Sequence, residues 1–151
     1  MKALLRFRHV VVGLLFVAAL GATSVAAGNR PFKAKGTAQI LGDPFAVSPF
    51  NASGTATHLG AWTGGGLVVY GFTEEGDLGV FGYLVMVAAN GNELYSWFYA
   101  IQNPDSGLLE GFHYFEGGTG RFASATGEVS VIGQPLPGNQ VKLDMNGTIN
   151  Y

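Results

Sequence analysis

The sequence has 151 residues and no cysteine. That absence excludes disulfides, thiolate zinc sites, a cysteine nucleophile and a lipidated N-terminal cysteine. Charge is also scarce, at 12% of residues with a formal net charge of −2. A nucleic-acid binder would normally carry a basic face, so that class is excluded too. No apolar run approaches the ~20 residues of an ordinary transmembrane helix. No segment sustains a 3.6-residue hydrophobic period, so no long helix is expected.

What is present divides into a leader and one domain. Lys2, Arg6 and Arg8 make a basic start, Val10–Leu20 is apolar, and Val25-Ala26-Ala27 fits a small-x-small cleavage site. This is the layout of a secretory signal peptide. The alternative, an uncleaved anchor, is disfavoured by the shortness of the run. Cleavage near Ala27 would leave residues 28–151 as a single secreted or periplasmic domain, with no membrane segment of its own. Three of the eight basic residues leave with the leader, so five face ten acids, a mature charge of −5.

Of the 24 glycines only Gly13 and Gly21 fall in the leader. The rest stand among aromatics and valines, which a disordered Gly-rich tail would lack. Glycines at turns with aromatic and β-branched residues between them indicate short strands. Eight are expected: Phe32–Leu41, Thr55–Trp62, Leu67–Thr73, Leu78–Ala89, Glu93–Gln102, Leu108–Glu116, Gly127–Ile132 and Gln140–Tyr151. Gly64-Gly65-Gly66 reads as a turn, and Asn90-Gly91 is the sharpest hairpin signal. Short connections between eight strands suggest an antiparallel meander closed into a barrel, which removes exposed edges. A two-sheet sandwich is the alternative. Eight strands enclose an interior just wide enough for side chains or one small ligand.

Alternation assigns two strands. Val141, Leu143, Met145, Gly147 and Ile149 share one face of the last, and Phe32, Ala34, Gly36, Ala38 and Ile40 one face of the first. The inner residues of the first strand are small, so a neighbour must fill their space. The third to fifth strands are apolar on both faces, and a barrel has only one inside. Their outer face, within residues 67–101, is therefore expected either to form a homo-oligomer interface or to be covered by loops or the N-terminal segment Gly42–Asn51.

Candidate chemistry is limited. Gly118-Thr119-Gly120-Arg121-Phe122-Ala123 matches the spelling of a dinucleotide fingerprint, but no helix follows, so that reading fails. No phosphate loop, G-x-S-x-G or H-E-x-x-H motif is present, and no cofactor is expected. His58 and His113 are too few for a catalytic zinc site, and no metal is expected. The acidic Glu74-Glu75-Gly76-Asp77 reads as a wet hairpin tip. A histidine on an inner face can contact a ligand or transfer protons. His113 and Glu93 are the acid/base candidates. His58, Tyr83, Tyr95, Trp97 and His113 are the candidates for lining a cavity, although strand parity prevents all of them from facing inward.

Phe115-Glu116-Gly117-Gly118-Thr119-Gly120-Arg121-Phe122-Ala123-Ser124-Ala125-Thr126-Gly127 resembles the Gly-Gly-Thr-Gly-x-Phe-x-x-Ala-x-Gly signature of the allene oxide cyclase and dirigent barrels. Thr57-His58-Leu59-Gly60, Ala89-Asn90-Gly91 and Gly147-Thr148-Ile149-Asn150-Tyr151 are similar to elements of small secreted bacterial proteins of that barrel type. The resemblance implies an eight-stranded barrel, trimeric in many plant relatives. Those relatives steer a reactive small hydrophobic molecule through cyclisation or coupling, using carboxylate, Asn, Cys or Arg groups at the barrel mouth. This chain has no Cys to offer, no catalytic carboxylate aligns residue by residue, and Arg121 falls within the signature as a structural residue. Three functions follow as expectations: a secreted barrel binding a small hydrophobic or aromatic ligand, a cyclase or isomerase, and a non-catalytic extracellular structural module.

Overall fold

A computed structural model describes residues 28–151; the expected leader and its cleavage site lie outside the described residues. Eight antiparallel strands close into a barrel in sequence order. They are β1 (Arg30–Ile40), β2 (Ser48–Ala56), β3 (Gly60–Phe72), β4 (Leu78–Ala88), β5 (Glu93–Gln102), β6 (Leu109–Gly118), β7 (Thr126–Leu136) and β8 (Gln140–Asn150). One short 3-10 turn, Gly120–Phe122, is the only helical element among the described residues. The barrel excludes the sandwich, because β1 pairs with β8 from Arg30↔Ile149 through Gln39↔Gln140 and no edge is left.

The largest departure from the sequence-based expectation lies in β2 and β3. The chain turns at Thr57–Leu59, so β2 ends and β3 begins inside the segment expected to be one strand. Gly64-Gly65-Gly66 is mid-strand, paired with Met86, Val85 and Leu84 of β4. A Cβ at Gly64 or Gly66 would run into the carbonyl oxygens of Val85 or Tyr83. These glycines therefore let two backbones approach closely within the sheet, a use of strand glycine distinct from turning. Asn90-Gly91 does turn the β4–β5 hairpin, with positive φ at Gly91 but not at Asn90. The connection runs over four residues, Ala89–Asn92, and Asn92 N–H bonds the Asn90 side chain.

Inward side chains fill the two halves of the barrel differently. The half near the chain's β2–β3, β4–β5 and β6–β7 connections is plugged by Phe32, Trp62, Met86, Phe115, Phe122 and Ile149, all buried. Phe32 and Phe115 meet edge to face at 4.8 Å. Trp62 supplies the bulk that the small inner residues of β1 require. The other half is less completely filled.

Candidate functional site

In that second half an apolar cavity remains, with free space of about 60 Å³. Its walls come from all eight strands, including Ala38, Phe50, Val68, Leu84, Leu109 and Val141. Tyr70, Phe98 and Leu143 also line it, and each keeps partial exposure despite pointing inward. Solvent therefore reaches the cavity from the end bearing the β1–β2, β3–β4, β5–β6 and β7–β8 connections. The β1–β2 loop folds over this rim. Pro44 C=O accepts from Tyr70 N–H at 2.8 Å, and the Phe45 ring stacks on Phe72 at 5.9 Å. Drug-sized ligand pockets are several times larger, ~300–1,000 Å³.

His113 is the fully buried polar side chain at this cavity, with the partly exposed Tyr70 the other polar residue that lines it. His113 is 3% exposed, and its ring stacks on Phe98 at 4.7 Å and 23°. Its Nδ1 lies 3.1 Å from the hydroxyl oxygen of Ser96, which is wholly buried. The Ser96 hydroxyl also reaches Leu84 C=O at 3.5 Å. Among the described residues no carboxylate hydrogen-bonds to His113. Burial in this apolar setting disfavours the charged ring and pushes its pKa down from 6.5 to about 3. The imidazole is therefore neutral across the physiological range. A base this weak has little driving force for accepting a proton at neutral pH.

The other sequence candidates lie elsewhere. Tyr83, Tyr95 and Trp97 belong to the outward parity of β4 and β5 and do not line the cavity, which corrects that part of the expected set. The reason is the strict period of two: Leu94, Ser96, Phe98 and Ala100 take the inside of β5, leaving the intervening aromatics outside. Glu93 is at the opposite end from the cavity, on the outer face. There it accepts a 2.6 Å hydrogen bond from the Tyr95 hydroxyl, which raises the tyrosine's pKa. His58 sits on the β2–β3 turn with φ of 70°, its Nε2 2.9 Å from Pro31 C=O and its own carbonyl accepting from Arg121 Nη2. Arg121 also lies 4.9 Å over the Phe122 ring. The Gly-rich signature segment thus ties down the plugged end and does not contribute to the cavity.

Ser96 was not among the sequence candidates. Its signal was a single polar residue in an otherwise apolar inward set, Leu94, Phe98 and Ala100.

The outer face of β4–β6 carries a continuous aromatic array, with Leu67 of β3 beside it. Trp97 stacks on Tyr114 at 4.3 Å, Tyr99 lies 6.3 Å from Tyr114, and Phe81 lies 6.4 Å from Trp97. Leu67, Phe81 and Ile101 are 53%, 56% and 41% exposed. Gly42–Asn51 does not cover it; its Phe45 reaches only Tyr70 and Phe72 at the rim.

Comparison with known proteins fits this geometry at the level of fold. No protein-family model matches the chain, and no curated protein matches it in sequence. Among solved structures it is similar to a pterocarpan synthase dirigent protein, with 11% identity, a TM-score of 0.54, and coverage of 86% of this chain and 89% of that one. The chain has a dirigent-like barrel fold. Among the described residues no helix is long and apolar enough to cross a membrane.

Proposed function

We propose that this chain is an exported barrel protein that binds a small hydrophobic molecule in its cavity, of the kind found in small secreted bacterial barrels with the Gly-Gly-Thr-Gly-Arg-Phe signature. The observation that carries this reading is an apolar, solvent-reachable cavity with one neutral imidazole on its wall. Such a combination of apolar lining and a small number of orienting polar groups is the usual make-up of a small-molecule site. A dirigent-like fold is compatible with binding and also with directing a substrate. The neutral His113, with no carboxylate partner, favours binding and orientation over acid/base turnover. Glu93 lies at the plugged end and could not reach a ligand in the cavity, so the cyclase or isomerase alternative lacks its second candidate.

Native mass spectrometry of protein purified from its own host tests the reading. The expected result is a mass above that of residues 28–151, lost on gentle activation. A bare chain that also fails to gain thermal stability with a panel of small apolar compounds would support the filled structural module instead.

The outer aromatic face supports a second, separate element of the proposal, self-association. Exposed apolar patches of this continuity mark association surfaces. Light scattering at micromolar concentration tests it, and a monomeric mass would remove it.

A further inference from the structure

Resting on the cavity as a binding site, we propose that its ligand is a compact, uncharged molecule with one hydroxyl group, which donates a hydrogen bond to Nε2 of His113, and that Ser96 sets the tautomer allowing this.

A neutral imidazole has one donor nitrogen and one acceptor nitrogen, and the partner of one fixes the role of the other. Nδ1 faces the Ser96 hydroxyl. That hydroxyl has a second neighbour, Leu84 C=O, which can only accept. When the hydroxyl hydrogen points to Leu84, Ser96 Oγ must accept from Nδ1–H. The relay then runs in one direction, from His113 to Ser96 to Leu84, and leaves a lone pair on Nε2. No described residue bonds Nε2. It is also not among the fully enclosed polar atoms without partners, which among the described residues are Trp62 Nε1 and Asn150 Oδ1. Nε2 therefore borders accessible space, and the space that His113 lines is the cavity.

The opposite tautomer would aim an N–H at alkyl and aromatic walls. Orphaned donors are rarer than under-used acceptors, which points to the tautomer with Nε2 free to accept. Ligand charge is limited by the same surroundings. The ring stays neutral down to about pH 3 and could not balance a carboxylate, whose transfer into apolar space without a partner is costly. A hydroxyl meets the acceptor on His113, and a hydrocarbon body meets the apolar walls.

The test uses three probes of matched shape, small enough for this space: propan-2-ol, acetone and isobutane. Binding is measured by calorimetry or by shifts of methyl resonances in the purified protein. The alcohol is expected to bind about five- to tenfold more tightly than the ketone or the hydrocarbon, the worth of one net hydrogen bond. A ¹⁵N imidazole correlation spectrum should place the His113 proton on Nδ1. In Ser96→Ala and in His113→Phe the alcohol should lose its five- to tenfold advantage over the hydrocarbon, the two being compared within the same variant. If either variant does not fold, the tautomer spectrum of the unaltered protein decides. Binding of the hydrocarbon with no gain for the alcohol, a preference for the ketone, or a proton on Nε2 would each overturn the proposal while leaving the cavity reading intact. Failure of all three probes to bind would overturn both.

Discussion

Trp62 of β3 occupies the space beside Gly36 of β1: a Cβ on that glycine would stand 2.9 Å from the indole Cζ2 and 2.5 Å from the Ser53 carbonyl oxygen. A missing side chain on one strand and a large one two strands away are thus a single packing unit at the plugged end. Gly36→Ala is expected to destabilise the barrel by about 1–3 kcal/mol, the usual cost of overpacking a filled core. Urea denaturation followed by tryptophan fluorescence measures this. A neutral result would show that the β1–β2 pair shifts freely.

The same indole holds an uncompensated group. Trp62 Nε1 is buried with no hydrogen-bond partner. An unsatisfied buried donor costs about 1–3 kcal/mol. Trp62→Phe removes that donor together with part of the ring, so the two effects oppose each other. The expected net change is within about 1 kcal/mol, well short of the ~3–5 kcal/mol for a large aromatic cut back to alanine. A loss comparable to Trp62→Ala would mean the N–H has a partner in solution.

His113 makes stability depend on acid. In the folded chain it remains neutral to about pH 3, whereas in the unfolded chain it takes up a proton near 6.5. Between those values the unfolded state binds one more proton, so stability rises with pH and is lost as pH falls. The slope from this residue is about 1.4 kcal/mol per pH unit. Tyr70, the other titratable residue on the cavity, ionises above 10 and does not contribute in this window. The difference in unfolding free energy between the unaltered protein and His113→Phe should therefore shrink steadily from pH 6 to pH 4. A constant difference would mean that His113 titrates normally and is wet.

The outer array makes a separate prediction. Phe81 is 56% exposed on the face it shares with Trp97, so changing it should leave the interior intact. Phe81→Glu is expected to lower the mass seen by light scattering to that of one chain, with the melting temperature of the monomer unchanged. A monomeric starting protein would make the patch a solvent-exposed feature only.

The architecture was largely legible in the sequence, and the reasons are physical. β1 and β8 alternate cleanly because one face meets water and the other the core, so Phe32–Ile40 and Val141–Ile149 announced their parity. Where both faces are apolar, as in β3–β5, the alternation vanishes, and Tyr83, Tyr95 and Trp97 could not be sided. Gly64–Gly66 misled for a different reason. Glycine marks positive φ in turns and close backbone approach within strands, and its one-letter identity does not separate the two. The Ser96–His113 contact was not legible either. It joins residues of two strands whose register shifts between Leu94 and Ser96, and only the folded barrel fixes that pairing.

The seam between β1 and β8 also has a kinetic meaning. Seven of the eight ladders join strands adjacent in sequence and can form as local hairpins. The eighth brings Lys35 beside Asp144, more than a hundred positions away, and their exposed 3.4 Å ion pair adds little holding power. The entropy of closing so long a loop falls on this ladder alone. Closure at the seam therefore comes late in folding, and a hydrogen-exchange experiment should find the hairpins protected before the β1–β8 amides are.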